Sequence, residues 1–176
     1  MIFRPYYYFD LGCAAYLFGC GTVGKGTVVD ARADDVEAYI TFAAAKGLRL
    51  THVIDTHVHA DHRSGGPELA RRTGAQYCVH ESADVTFVFT ASLHDKLLTL
   101  PDDLEIYPGH FSGSVCGIGL SGKPTSTLAF EKRWNSMLSL NRHEFIEALS
   151  DVPPKPAEME RVLAFNRGTE AAGTSA

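Results

Sequence analysis

Thr51-His52-Val53-Ile54-Asp55-Thr56-His57-Val58-His59-Ala60-Asp61-His62-Arg63-Ser64-Gly65-Gly66-Pro67 is an apolar segment that runs straight into four side chains able to bind a metal. His52 to Asp55 has the pattern of a buried strand. Ligands in α/β folds collect where strands end, and His57, His59, Asp61 and His62 follow this one directly. In extended backbone, residues i and i+2 face the same way, so His57 and His59 can point at one metal. Asp61 and His62 lie past a turn and can face a second metal nearby. Imidazole together with carboxylate suits zinc, iron or manganese. Such a metal brings the pKa of its water to about 7. Gly65 and Gly66 let the chain turn away after the ligands. Gly65-Gly66-Pro67 then opens a helix to about Arg72, closed by Gly74.

Working outward, residues 2–9 are rich in Tyr and Phe and read as a strand, and Cys13 to Phe18 as a second. A turn at Gly19, Gly21 and Gly24 leads to a short strand, Thr27 to Asp30. Asp34 or Asp35 can cap a helix whose Val36, Tyr39, Ile40 and Ala43 fall at helical spacing, with Gly47 as its stop. Tyr77 to Val79 is a further strand. Strands followed by βαβα imply an α/β layered sheet. Later, Val85 to Phe89 alternates like a strand. Leu93, Leu97 and Leu98 suit a short helix ended by Pro101. Leu104 to Tyr107 reads as a strand delivering Pro108-Gly109-His110. A Gly/Ser-rich loop covers 112–122. Helices are expected near 125–135, 142–150 and 157–166, and 168–176 is expected to be a disordered tail.

The chain has 176 residues and a formal charge of −5. The length fits one domain, taken as 1–167, and the charge argues against a nucleic-acid partner. Cys13, Cys20, Cys78 and Cys116 form no C-x-x-C pair, which suits a reducing compartment. No apolar run approaches the roughly 20 residues of a membrane span, and the start lacks signal-peptide order. A cytoplasmic protein is expected.

His57-x-His59-x-Asp61-His62 resembles the metal motif of the metallo-β-lactamase superfamily. The flanks are similar to its persulfide dioxygenase group, related to glyoxalase II. They include Leu11-Gly12-Cys13-Ala14-Ala15-Tyr16-Leu17, Val29-Asp30, Tyr107-Pro108-Gly109-His110 and the stretch from Ser114 to Arg133. The likeness covers 1 to about 89 and about 92 to 167. It implies an αβ/βα sandwich with the metal at one edge. It also implies either a mononuclear iron that oxidises glutathione persulfide, or a zinc pair that hydrolyses thioesters. Carried over by residue, His57 and His59 match two ligands of a first site. Asp61 and His62 match two of a second, and His110 matches the distal histidine completing it.

The family's Gly-His-Thr loop, which supplies a third histidine, has no counterpart here. Nor does its Gly-Asp turn, which supplies a bridging aspartate. A block of several tens of residues is missing near 89–92, so the sandwich is expected to be truncated in its second half. Of the dioxygenase iron set only His57 remains. Among substitutes, His80 at a strand end is the best placed. His94 reads as solvated, His52 as packing or hydrogen-bonding, and His143 as a helix-start residue. A cut sheet exposes an edge and an apolar face, which a homodimer would cover.

Three functions compete: an iron persulfide dioxygenase of sulfur metabolism, a zinc thioester hydrolase, and a catalytically inactive metal-binding remnant. The expected partner is a small-molecule thiol or thioester, with no nucleic acid and no membrane. Asp61 is also a candidate catalytic base for a water on the metal. Asp30 and Asp55 are candidates for orienting the histidines from behind. Arg63, Lys123 and Arg133 could meet an anionic thiol.

Overall fold

The computed structural model describes residues 1–79, 96–114, 120–148 and 157–169. Five strands form one sheet in the order β1(Ile2–Tyr8), β2(Cys13–Cys20), β3(Lys25–Val29), β4(Arg49–Asp55), β5(Gln76–Val79). The first two pairings are antiparallel, and β3–β4 and β4–β5 are parallel. Parallel neighbours need a crossover, and α1(Val36–Ala45) and α2(Gly66–Thr73) supply them. Further along come β6(Glu105–Ile106) and β7(Ser126–Thr127), paired as a second small sheet. The helices α3(Leu128–Trp134), α4(Arg142–Ala148) and α5(Met159–Asn166) complete the described elements.

The sequence pattern places the first half closely. Val36, Tyr39 and Ala43 of α1 are buried and pack with Leu17, Val28, Leu50, Val53 and Leu69 in one core. Burial of each Val or Leu among them stabilises by about 1.5–3 kcal/mol. The expected carboxylate cap of α1 is absent: a turn of 3-10 helix at Ala33–Asp35 leads into it, without a side-chain cap bond at either start.

Strand β4 is half-buried rather than wholly buried. Its register against β3 shifts at Gly26/Thr27, where Thr51 is the extra residue. This bulge lets both Leu50 and Val53 turn to the core. His52 is left exposed, with its ring Nδ1 3.0 Å from the Thr51 hydroxyl.

The second half differs more. The expected helix near 125–135 begins as β7, and Thr127 then caps α3 by accepting from Phe130 N. Strand β6 is two residues rather than four. Leu97–Thr99 is a turn of 3-10 helix. Asn141 caps α4, its Oδ1 accepting from His143 N and Glu144 N. The Val85–Phe89 strand, the start of the Leu93 helix, the point of the missing block, and all but the first two residues of the tail lie outside the described residues. None of the described helices is long and apolar enough to cross a membrane.

The far face of the sheet carries an aromatic layer in which Tyr16 and Phe111 are buried with Tyr7 and Val29. Towards its edge Phe3 and Phe18 are each 38% exposed.

Candidate metal centre

Past Asp55 the chain crosses the end of the sheet, and residues 56–64 form an irregular loop before α2. Three tethers hold this loop. Asp30, at the end of β3, sits in the left-handed region with φ 54, an uncommon conformation outside glycine. Its carboxylate accepts from Thr56 N at 2.8 Å and from the Thr56 hydroxyl. Asp55 accepts from the Ser64 and Tyr77 hydroxyls. Asn166, the last residue of α5, closes the far side. Its Oδ1 accepts from Ser64 N at 2.7 Å, and its Nδ2 donates to the carbonyls of His59 and His62 at 2.8 and 2.9 Å.

His110 reaches the same place from a different segment. Ala14 N donates to Gly109 O, and Phe111 N donates to Gly12 O, so the His110 loop is stitched to the start of β2. Gly12 permits this approach: it has φ +60, and a Cβ there would stand 2.0 Å from Ser114 N.

His57, His62 and His110 each engage a hydroxyl or carboxylate through Nδ1, and His59 stands against carboxylates at ion-pair distance. These proton positions are assigned from the hydrogen-bond network. The single Thr56 hydroxyl proton goes to Asp30, so Thr56 Oγ1 accepts from His57 Nδ1 at 3.0 Å. His57 Nε2 then carries a lone pair and faces His110 Nε2 at 3.2 Å. His110 Nδ1 lies 3.0 Å from Ser114 Oγ. His62 Nδ1 donates to Asp61 Oδ1 at 3.1 Å, leaving Nε2. His59 Nε2 is 3.2 Å from Asp30 Oδ1 and 4.0 Å from Asp55 Oδ1, and its Nδ1 is 3.9 Å from Asp61 Oδ1. Oxygen partners behind ligand nitrogens are the usual support of a metal site.

The electrostatics of His57 and His110 agree with that arrangement. Burial, reinforced by the neighbouring His59, pushes His57 down to about 4, so it is neutral at pH 7, as a ligand must be. Burial also lowers His110. Burial would lower His59 too, but Asp30 outweighs it and raises the ring. For Asp61, burial is overcome by His62 and His110, which hold the carboxyl well below its ordinary range. Burial raises Asp55. The Cys13 thiol is raised by burial and by Asp61, against the opposing pull of Arg32.

Among the described residues, the buried side-chain nitrogen and oxygen atoms without a hydrogen-bond partner are Asp55 Oδ1, both ring nitrogens of His59, Asp61 Oδ2 and His62 Nε2. Leaving such atoms unpaired costs about 1–3 kcal/mol each, and all of them lie in this one cluster. A cation among them satisfies several at once, so the donor set fits a metal. Three groups have ligand atoms within 4.8 Å of one another: His57/His59/His110, Cys13/Asp61/His62 and Asp30/Asp55/His59.

All five residues singled out from the motif and from His110 therefore meet, but their grouping differs from the expected one. His110 stands with His57 and His59, although its Nδ1 is also 3.7 Å from Asp61 Oδ2. Asp61 and His62 stand with Cys13, which carried no site role in the sequence reading. Asn166 was missed as well, since it lies 107 positions from His59.

The basic candidates each lie over an aromatic ring. Arg63 stacks on Phe165 at 4.5 Å, and Arg133 lies over Trp134. Lys123 lies 5.7 Å over the Phe130 ring. It also lines a cavity of about 300 Å³ that His110, Leu97, Leu98, Ile106 and Leu128 border. His80 and His94 lie outside the described residues.

Comparison with known proteins follows the same lines. A profile described as Metallo-beta-lactamase superfamily matches residues 8–106, more than half of the chain. The chain belongs to that superfamily. It is 25% identical to the mitochondrial persulfide dioxygenase ETHE1 of Homo sapiens, over 86% of this chain and 82% of that protein. That alignment is 215 positions long for a 176-residue chain, so the human protein carries several tens of positions with no counterpart here. A hydroxyacylglutathione hydrolase of Anaeromyxobacter dehalogenans is 35% identical over 106 residues, 57% of this chain and 39% of the hydrolase. Among solved structures, a metallo-beta-lactamase from Staphylococcus aureus superposes with a TM-score of 0.80 at 24% identity. It covers 94% of this chain and 72% of its own. ETHE1 from Myxococcus xanthus gives 0.77 at 24% identity, covering 97% and 100%. The expected fold class, a metallo-β-lactamase-like α/β architecture shortened relative to its relatives, is thereby established.

Proposed function

We propose that this chain is a metal-dependent enzyme acting on a small-molecule thiol derivative. His57, His59, Asp61, His62 and His110 are its metal ligands. The observation that carries this reading is the convergence of unpartnered buried atoms on residues 59–62. His57 Nε2 and His110 Nε2, 3.2 Å apart, lie beside them. A bound metal would supply Lewis-acid activation of water or substrate. The chain's own residues fix the ligand tautomers through Thr56, Asp30 and Ser114, and hold the loop through Asn166. Asp61, kept ionised, suits a ligand better than a general base, whose pKa should lie near the working pH.

The three-histidine group favours thioester hydrolysis, because three neutral ligands with an open position are the donor set of hydrolytic zinc. Persulfide oxidation on iron is the second reading. It is favoured by the likeness to the human persulfide dioxygenase, which runs over most of both chains. It asks for a carboxylate beside two histidines, and Asp61 Oδ2 is 3.7 Å from His110 Nδ1. The cavity beside His110 is the candidate substrate site. The chain is proposed to form a single domain over 1–167 in a cytoplasmic setting, with a second copy covering the Phe3 and Phe18 edge.

The test is turnover of an S-acyl glutathione and of glutathione persulfide by protein loaded separately with zinc and with iron. Zinc-dependent thioester cleavage supports the first reading, and iron-dependent oxygen uptake with persulfide supports the second. Neither activity in metal-loaded protein would leave a catalytically inactive metal-binding remnant.

A further inference from the structure

Cys13 opens β2 and is 1% exposed. It forms no disulfide. Its backbone makes an isolated antiparallel bridge with His110, so the thiol is carried on the same stitched segment that brings His110 to the site. Its sulfur lies within 4.8 Å of ligand atoms of both Asp61 and His62. The Arg32 guanidinium, Nη1 at 3.7 Å, donates toward the sulfur. The two partners are themselves incomplete. Asp61 and His62 have side chains 5% and 4% exposed and bond to one another through Oδ1 and Nδ1. That leaves Asp61 Oδ2 and His62 Nε2 buried without partners.

We propose that Cys13 is a metal ligand. It joins Asp61 and His62 as the third protein ligand of a zinc-type site, and it leaves His110 to complete the neighbouring group with His57 and His59. This rests on the reading of the cluster as a metal centre and deepens it. Thiolate, imidazole and carboxylate together are a tetrahedral zinc set with one position open. Zinc–ligand bonds of about 2.0–2.3 Å place tetrahedral ligand atoms about 3.5 Å apart, so the group closes with shifts of about 1 Å. A thiolate also supplies negative charge that the absent bridging aspartate does not. The chain thus holds two three-ligand sets without drawing on the missing block.

The experiment uses the full chain. A variant in which Cys20, Cys78 and Cys116 are all serine keeps Cys13 as its only cysteine. It is loaded with zinc and examined by X-ray absorption at the zinc edge. A sulfur scatterer at about 2.3 Å is expected. In parallel, metal-free wild type and Cys13→Ser are titrated with cobalt(II). The wild type should show visible d–d bands and a near-ultraviolet thiolate-to-cobalt band. Cys13→Ser should keep visible bands and lose the near-ultraviolet one, with its far-ultraviolet circular dichroism confirming the fold. Bound zinc with nitrogen and oxygen neighbours alone would overturn the role of Cys13 while the metal-centre reading stands. Retention of no metal by either protein would overturn both. Should Cys13→Ser fail to fold, the single-cysteine variant alone decides.

Discussion

Replacing Asn166 with Ala removes three bonds between the candidate metal loop and α5: one accepted from Ser64 N and two donated to the His59 and His62 carbonyls. A hydrogen bond of this kind contributes about 1 kcal/mol net. The three together, on a side chain that is partly buried, are worth about 2–3 kcal/mol. For a chain of this size each kcal/mol shifts the melting temperature by about 2–4 °C, so Asn166→Ala should melt about 5–10 °C below the wild type. The effect extends beyond stability, because two of the bonds end on the backbone of the proposed ligands His59 and His62. Loss of a group that orients ligands costs about 10–100-fold in metal affinity. Asn166→Asp separates the contributions: its carboxylate still accepts from Ser64 N, but it meets the two carbonyls with charge instead of N–H groups. It should therefore bind metal no better than Asn166→Ala. The assays are urea unfolding of the metal-free proteins and competition of zinc with a chromophoric chelator. A change below about 0.5 kcal/mol, the scale of an ordinary surface substitution, together with unaltered zinc affinity would refute the clamp.

Two further outcomes are expected. In the metal-free protein His57 titrates at about 4 when folded, against an ordinary value of 6.5. Between those values the unfolded chain binds the extra proton, so this group makes stability rise with pH across that window. Urea midpoints measured from pH 4 to 6.5 should climb less steeply in His57→Gln than in the wild type, and equal slopes would show that the ring is not desolvated as described. Gly12→Ala places a Cβ 2.0 Å from Ser114 N at φ +60. It should destabilise by about 1–3 kcal/mol and weaken metal binding by displacing the His110 loop, whereas an unchanged melting temperature would contradict the tight approach.

The parts of the molecule legible from sequence are those encoded over short distances. The βαβα order follows from strand patterns, from the Val36/Tyr39/Ala43 spacing and from glycines at helix ends. The four candidate ligands of the loop are visible because they fall within six consecutive positions. The Thr51 bulge was not legible, because an extra residue inside a strand has no fixed signature and shows only in the pairing with Gly26 and Thr27. The choice of partners inside the centre was equally hidden. Whether His110 stands with His57 or with Asp61 depends on how the Gly109–Ser114 segment is stitched to Gly12 and Ala14. Cys13 read as an ordinary buried cysteine on a strand, the commonest role of that residue. Asn166 sits at the end of an amphipathic helix and becomes informative only when the fold brings it beside residues 59–64.

The most direct test of the central claim is the metal content of protein purified without added metal, measured by plasma mass spectrometry beside a His62→Ala variant. The account predicts that the wild type carries zinc or iron in stoichiometric amount and that the variant loses a substantial part of it. Wild-type protein that is folded, free of metal as purified and unable to take up added zinc or iron would contradict it.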